Sequence, residues 1–326
     1  MNESCETGGH ANESFRFVQL SDLHLSYIQT PNPTHLLNKR ILGYLSWLRK
    51  RRHTHQRWIL DLAVEEIRQL DVDHYAITGD LTHIGLKNEF EQVSRWLNNI
   101  TTSDQITLIP GNHDLYVNEQ WDRSFALWES YMLGDDPPTQ ALSNQALTQL
   151  NQLYPIVRIR KHVAFIGLSS AFDAPWFRAT GKVDEQQLIR LQKLLSSTAL
   201  DNYCKVLLVH HPLTMTHTPA RKCLLNRDKL TNLLTQHPVD LILHGHGHNS
   251  CYESIDCANN IETPIIGMSS SSSISQTKNY KAEFLLFDVS KTTQGWNINK
   301  QSYTLDKNMR KFIASSQQEF IQQRVL

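Results

Sequence analysis

The sequence predicts an α/β fold built from a mixed sheet or a pair of packed sheets, and three observations support this. The 326 residues are 40% hydrophobic and 20% charged, which allows a large core and argues against disorder. In the first half, short apolar runs alternate with segments of helical periodicity, as in parallel strands joined by crossover helices. Clusters of Asp, His and Asn follow five of the apolar runs, where strand ends would line a ligand site.

Strands are predicted where short apolar runs are bounded by turn residues, and helices where apolar residues recur every three or four positions. The predicted strands are 15–20, 74–78, 106–110, 156–160, 163–168, 205–210, 240–244, 263–268 and 283–289. The predicted helices are 57–70, 88–100, 121–133, 184–197 and 228–236. The fourth and fifth strands are close enough to form a hairpin. A run of serines at 269–273 is predicted to be a flexible loop.

The composition and the sequence pattern exclude some classes of protein. The chain has 32 Lys and Arg against 32 Asp and Glu, so we expect no general nucleic-acid binding. It has no apolar stretch of about 18 residues and no basic, apolar leader, so neither a transmembrane helix nor a signal peptide is expected. Five cysteines without a C-x-x-C pair indicate reduced thiols and a cytoplasmic location. We expect a polar extension at 1–14 followed by a single domain over 15–326.

Five predicted strands run directly into clusters of polar residues. The clusters read D-L-H, G-D, G-N-H-D, H-H-P and H-G-H-G-H in chain order. Their polar members are Asp22, His24, Asp80, Asn112, His113, Asp114, His210, His211, His244, His246 and His248. Because ligand crevices of open α/β sheets lie outside the carboxyl ends of the strands, these side chains are expected to converge.

The residue types and their spacing indicate a metal site. Asp22 and His24 are two residues apart, which turns both side chains to one side of an extended backbone. His246 and His248 repeat this spacing, and the glycines between the histidines would give the turn its freedom. Carboxylate and imidazole donors without Cys suit Mn²⁺, Fe, Zn²⁺ or Mg²⁺ rather than a closed structural zinc site.

Each cluster by itself has a simpler explanation as a turn, a helix cap or a strand end. That explanation would have to hold five times independently, and three imidazoles within five residues rarely serve packing. We therefore predict a site for two divalent metal ions, with Mn²⁺ as the expected metal.

The order D-x-H, G-D, G-N-H-D, H-H-P and G-H-x-H resembles the calcineurin-like metallophosphoesterase superfamily. The resemblance implies a four-layer α/β/β/α sandwich with a dinuclear site at the strand ends. The first metal would be bound by Asp22, His24 and His248, the second by Asn112, His210 and His246, and both by Asp80. His211 and His244 have no ligand role in this pattern and are interpreted as supporting or strand-end residues.

The resemblance also implies a catalytic role for His113, beside the phosphoryl group, with Asp114 as its orienting partner. Two metal ions would activate a water and hold it in line with phosphorus, while His113 protonates the leaving oxygen or steadies the transition state. The implied reaction is metal-dependent hydrolysis of a phosphoester or diphosphate. Some members of this fold are non-catalytic scaffolds that have lost site residues, whereas every ligand position is present in this chain.

An unusual basic insertion lies at about 29–58, between the first two clusters. Residues 23–60 contain seven Lys or Arg and no Asp or Glu. Apolar residues at helical spacing predict a helix with one apolar face, next to a tryptophan and a basic run. The candidate membrane or acyl-chain contacts are Leu37, Ile41, Leu45, Trp47, Leu48, Arg49, Lys50, Arg51 and Arg52. Such a helix indicates an anionic membrane surface or an acyl chain. The alternatives are packing on the core and, with less support because the rest of the chain is not basic, a nucleic-acid-binding arm.

The insertion resembles a bacterial branch of the superfamily that includes a class of UDP-diacylglucosamine pyrophosphatase. Those enzymes release acylated glucosamine 1-phosphate and UMP in lipid A biosynthesis. The more widespread class of that enzyme carries Arg where this chain has His113. The segment 79–85 with Glu89 and Phe90 also resembles cyclic-nucleotide phosphodiesterases of the superfamily. UDP-2,3-diacylglucosamine is therefore the expected substrate, on the cytoplasmic face of the inner membrane, and a 3′,5′-cyclic nucleotide is the alternative.

Overall fold

The computed structural model describes residues 14–25, 27–29, 31–136, 143–216, 218–258 and 261–323. The strands are β1 (Phe15–Leu20), β2 (His74–Ile77), β3 (Ile106–Leu108), β4 (Ile156–Arg160), β5 (Val163–Gly167), β6 (Cys204–Leu208), β7 (Leu241–His244), β8 (Cys251–Asp256), β9 (Glu262–Gly267), β10 (Glu283–Thr292), β11 (Gly295–Asp306) and β12 (Lys311–Gln323). The helices are α1 (Arg40–Ser46), α2 (Arg52–Thr54), α3 (Arg57–Ile67), α4 (Lys87–Ile100), α5 (Glu129–Met132), α6 (Ala146–Leu153), α7 (Glu185–Leu195) and α8 (Arg227–Gln236). The predicted extension lies outside the described residues except for Ser14, and the single-domain organisation stays a prediction.

The strands form two mixed sheets. The first has the order β12-β11-β10-β1-β2-β3, in which β1, β2 and β3 are parallel and β10 is antiparallel to β1. The second has the order β4-β5-β6-β7-β9-β8, in which β5, β6, β7 and β9 are parallel. The predicted hairpin is confirmed, because β4 and β5 pair antiparallel. In each sheet the loops that carry the polar clusters therefore leave from the same edge.

Successive side chains along the strands of the second sheet point alternately to its two faces. Inner residues such as Phe165 and Leu243 belong to the core shared with the first sheet, α3 and α4. Their neighbours, such as Ile166 and Ile242, belong to a second core with α7 and α8. The rings of Phe165 in β5 and Phe17 in β1 meet edge to face at 5.1 Å between the sheets. These contacts produce the predicted four layers, α/β/β/α.

Some predicted elements differ from the structure. The sequence does not predict β8, β11 and β12, because their residues lack a clear apolar run; β12 is an exposed edge strand held by backbone pairing with β11. The predicted helix 121–133 is instead two 3₁₀ turns followed by α5, with Ser124 in a non-helical conformation between the turns. Residues 269–273 form a loop as predicted, but its serines are buried rather than free, and the hydroxyl of Ser270 donates to the carbonyl of Asp22 at 2.7 Å.

The insertion forms the predicted helix, as α1, a π-helical turn at Trp47–Arg51 and α2 in direct succession. Its core-facing side is formed by Gly43 and Trp47, which lie over Ile84 and Leu86. No helix among the described residues has the length and apolar character that crossing a membrane requires. The four cysteines that the structure describes are free thiols.

The contact of Phe165 between the sheets should contribute strongly to stability. Replacing a fully buried phenylalanine by alanine removes apolar contact and leaves a cavity, so Phe165→Ala should lower the free energy of unfolding by about 3–5 kcal/mol. Urea denaturation followed by circular dichroism measures this change. Ile321→Ala on the exposed side of β12 is the matched control and should change stability by less than about 0.5 kcal/mol. Equal losses for the two variants would contradict the assigned core.

Candidate metal centre

The loops after β1 and β2 in the first sheet meet the loops after β6 and β7 in the second. Within the first sheet, the backbone N–H of Asp22 donates to the carbonyl of Gly79 at 2.9 Å. Across the sheets, the backbone N–H of His246 donates to Oδ2 of Asp22 at 2.9 Å. Nδ1 of His210 donates to the carbonyl of Thr78 at 2.6 Å, again across the sheets. The polar clusters thus converge where the two sheets are joined.

Asp22, His24, Asp80 and His248 form the first group of side chains that can hold a metal ion. One ligand atom of each residue lies within 4.8 Å of those of the others. Nε2 of His248 is 3.1 Å from Oδ1 of Asp22, and Nε2 of His24 is 3.9 Å from Oδ2 of Asp80. Nδ1 of His24 donates to the carbonyl of Thr82 at 2.8 Å, which leaves Nε2 free to bind a metal.

Asp80, His210 and His246 form a second group with the same spacing, so Asp80 is common to both groups. Nε2 of His210 is 3.3 Å from Oδ2 of Asp80. Asp80 therefore has the position that a bridging carboxylate needs. Oδ1 of Asn112 and Nε2 of His246 are buried and have no hydrogen-bond partner among the described residues. Because an unpaired buried polar atom costs about 1–3 kcal/mol, these donor atoms fit the binding of cations.

Five of the predicted ligands have left-handed backbone conformations. The φ angles are 50° for Asp22, 39° for His24, 57° for Asp80, 65° for His246 and 51° for His248. The explanation from extended backbone is therefore wrong: tight turns after the strands bring these side chains together. Each such conformation costs about 1–3 kcal/mol and persists only where the surrounding structure enforces it.

Glycine has a different role at this site from the one the sequence predicts. The histidines themselves adopt the positive φ angles, whereas Gly245 provides space. A Cβ atom at position 245 would overlap the hydroxyl of Ser21 and the carboxylate of Asp22. Gly245 therefore allows the loop of the second sheet to approach the loop after β1 closely.

Asp114 does not orient His113 as the resemblance implies. Its Oδ2 accepts the backbone N–H groups of Asp80 and Gly111, and its Oδ1 accepts those of Leu81 and Thr82, all at 2.9 Å. Asp114 therefore holds the loop that carries Asp80. His113 is held instead by the carbonyl of His83, which accepts from Nδ1 at 2.6 Å.

Some of the apolar residues that were predicted to contact a membrane or an acyl chain are exposed, and others are buried. The side chains of Leu37, Ile41 and Leu45 are exposed by 84%, 40% and 38%, so they are free to contact a partner. Leu48 is partly buried against the core-facing side of the helix. Trp47 is only 3% exposed and therefore cannot enter a membrane surface, which corrects the prediction.

The basic residues 49–52 also differ in their exposure to solvent. Arg49, Lys50 and Arg52 are exposed. Arg51 instead turns inward, and its guanidinium lies 3.0 Å from Nδ1 of His113. Burial and the charge of Arg51 lower the pKa of His113 to about 3, so this imidazole is neutral in the free protein.

Arg51 lines a cavity of about 210 Å³ beside the metal groups. Asn112 and His113 form part of its wall, and the exposed aromatic residues Trp176 and Phe177 also line it. The cationic side chains that line the cavity are Lys39, Arg51, Arg178, Arg221 and Lys222. Lys39 pairs with Asp173, whereas Arg51 and Lys222 have no carboxylate partner in the part of the chain that the structure describes. The cavity therefore suits an anionic group.

Two residues of the site, His55 and His83, lie outside the motifs of the sequence. His55 lies against His24, with 4.4 Å between ring centroids, and the carbonyl of His83 positions His113. Neither residue directly follows a strand, so the strand-end pattern could not identify them; the unusual total of 16 histidines was the available signal. His211 and His244 lie outside both metal groups. Nδ1 of His211 is 2.8 Å from the hydroxyl of Ser170.

A family model described as calcineurin-like phosphoesterase matches residues 15–250, and the chain belongs to this family. With its two groups of candidate ligands, it is a phosphohydrolase of the dinuclear metallophosphoesterase type. A dimetal phosphatase from Danio rerio is 13% identical, with a TM-score of 0.57 over 92% of this chain and 98% of that one. A purple acid phosphatase from yellow lupin is also 13% identical, with a TM-score of 0.53 over 94% of this chain and 54% of that one. At this identity the two structures show the fold alone. A search of curated protein sequences found no significant match.

Metal binding should strengthen as pH rises. Burial acts to lower the pKa of His210, but the carboxylates of Asp80 and Asp22 outweigh it and raise the pKa to about 9. At neutral pH a bound metal must therefore displace a proton from this imidazole. The affinity for Mn²⁺ should rise between about pH 6 and pH 9, by up to about tenfold per pH unit, and level off above the pKa. Isothermal titration calorimetry in buffers of different ionisation enthalpy measures both affinity and proton release. A pH-independent affinity would contradict this assignment.

Proposed function

We propose that this phosphohydrolase cleaves the diphosphate of UDP-2,3-diacylglucosamine to acylated glucosamine 1-phosphate and UMP. The observation that carries this proposal is the cationic cavity beside the metal groups, because Arg51 and Lys222 line it and have no carboxylate partner among the described residues. A diphosphate brings a second phosphate for these cations to bind, whereas a cyclic monophosphate brings a single charge. Trp176 and Phe177 offer aromatic faces on which the uracil ring would stack.

The seven residues that the resemblance implies are proposed as the ligands, with Asp80 bridging two Mn²⁺ ions. The bound ions would supply activation of water and compensation of charge that develops at phosphorus. Nδ1 of His113 carries its proton toward the carbonyl of His83, so Nε2 is the atom proposed to serve the leaving oxygen. A phosphate beside Arg51 would offset the guanidinium charge and thereby favour protonation of Nε2.

The insertion is proposed to receive the lipid part of the substrate. Leu42, Gly43 and Ser46 of α1 line the cavity, while Ile41 and Leu45 of the same helix are exposed. An acyl chain lying on these exposed side chains would be adjacent to the cavity that holds the diphosphate. The exposed basic side chains would hold the helix at an anionic membrane surface, on the cytoplasmic face of the inner membrane.

A substrate panel tests this function. Chelated protein reconstituted with Mn²⁺ should release UMP from UDP-2,3-diacylglucosamine with a higher kcat/KM than it shows for cyclic AMP or bis(p-nitrophenyl) phosphate. Asp80→Ala is the inactive control, and it should lose most of the activity on all three substrates because both metal groups share this carboxylate. Hydrolysis of cyclic AMP at equal or greater efficiency would overturn the lipid substrate and leave the phosphohydrolase class intact.

Substitutions of Arg51 and of the three exposed basic residues should have opposite effects: the first should lower activity and the second should weaken membrane binding. Arg51→Gln should lower kcat/KM for UDP-2,3-diacylglucosamine about 10- to 100-fold, the usual worth of a charge-assisted hydrogen bond to phosphate, and retain binding to phosphatidylglycerol vesicles. The matched variant Arg49→Gln, Lys50→Gln, Arg52→Gln should keep activity on bis(p-nitrophenyl) phosphate. It should bind the vesicles more weakly, by up to about 1 kcal/mol per charge and mainly at low salt.

Vesicle sedimentation and steady-state kinetics measure the two effects. Unchanged vesicle binding in the triple variant would contradict the membrane role. Full activity of Arg51→Gln on the diphosphate would contradict the role of the cavity.

A further inference from the structure

His55, at the end of the insertion, lies directly against the first metal group. Its ring centroid is 4.4 Å from that of His24 and 5.4 Å from that of His248. One ring nitrogen of His55 lies within 4.8 Å of ring nitrogens of both residues, close enough for the three imidazoles to share an ion. His55 belongs to none of the strand-end motifs.

The backbone on both sides of His55 is held by the buried serine run. The carbonyl of Ser272 accepts the backbone N–H of Gln56 at 3.0 Å, and the carbonyl of Thr54 accepts the backbone N–H of Ile274 at 2.9 Å. His55 itself forms an antiparallel bridge with Ser273. This pairing fixes the position from which the imidazole extends toward the metal group.

The same serines determine which nitrogen of His55 is free. Nδ1 is 2.8 Å from the hydroxyl of Ser272 and 3.3 Å from that of Ser270. The hydroxyl of Ser270 donates its proton to the carbonyl of Asp22 at 2.7 Å, so its oxygen can accept from His55. The hydroxyl of Ser272 lies 3.2 Å from that of Ser270 and belongs to the same hydrogen-bond network. On this basis we assign the proton of His55 to Nδ1, which leaves Nε2 with its lone pair.

This arrangement is the one that the candidate ligands share. Nδ1 of His24 and Nδ1 of His210 also donate to oxygen atoms, and their Nε2 atoms face Asp80. Metal-binding histidines commonly donate the second ring N–H to an oxygen in this way, which fixes the tautomer and the ring orientation.

We propose that Nε2 of His55 is an additional ligand of the metal ion that His24 and His248 hold. This inference rests on the metal site of the proposed function and is independent of the substrate. A third imidazole makes the first site rich in nitrogen, which favours transition metals over Mg²⁺. It also makes metal binding at this site dependent on the insertion, since His55 belongs to that segment.

Metal binding in the absence of substrate tests this proposal. Chelated full-length protein, His55→Ala and His55→Gln are titrated with Mn²⁺ by calorimetry and with Co²⁺ by visible absorption, which reports the ligands of the ion. His53→Ala is the matched control, because His53 is an exposed histidine of the same segment. Circular dichroism verifies the fold, and His55→Gln retains a polar side chain of similar size.

We expect both His55 variants to lower the affinity for one of the two metal ions at least about tenfold and to change the Co²⁺ spectrum. His53→Ala should match the unsubstituted protein in both measurements. Unchanged affinities and an unchanged spectrum would overturn the proposal, even if activity fell, since His55 would then act on the substrate. Equal weakening of both ions would also overturn it, because a ligand of one metal affects that metal most. Failure of the substrate panel alone would leave the inference standing.

Discussion

Asp80 must remain ionised while it is buried between two sets of imidazoles, and much of the surrounding structure serves this requirement. Burial acts to raise its pKa, but the charge of His210 and its hydrogen bond to the carboxylate outweigh burial and hold the pKa well below the usual range. The backbone N–H of His113 donates to Oδ1 at 2.7 Å, while Oδ2 faces His24 and His210. A buried charge without such partners would cost several kcal/mol, so the loops around Asp80 cannot be rearranged independently.

Hydrogen bonds from buried side chains help to hold those loops in place. Asp114 binds four backbone N–H groups around Asp80, and the buried serine run binds the carbonyl of Asp22. Together they hold the backbone at Asp22 and Asp80, two residues with left-handed conformations. Because the loops belong to different sheets, the site forms only when the two sheets pack face to face.

The insertion contributes to three environments from one short segment. Trp47 anchors it to the core, Arg51 and His55 reach the site, and Leu37 with Ile41 remains exposed. The π-helical turn at Trp47–Arg51 lies between α1 and α2, and such turns often occur at functional sites. The substrate cavity and the metal centre are therefore both linked to the packing of this segment.

The sequence by itself determined the fold class, nine of the twelve described strands and the polar residues that follow five of them. Period-two and helical patterns record local burial, and residues such as Asp22 and His246 follow strand ends whose geometry is shared by α/β sheets. The sequence could not identify β12, because an edge strand held by backbone pairing needs no apolar pattern.

Only the tertiary structure decided the neighbours of the site. It placed Arg51 and His55 beside residues far along the chain, assigned Asp114 to the loop of Asp80, and buried Trp47 in place of Leu37. Each of these outcomes depends on which loops meet when the sheets and the insertion pack together. The physical reason is that a side chain's contacts across such an interface depend on the three-dimensional approach of separate segments, which local periodicity does not encode.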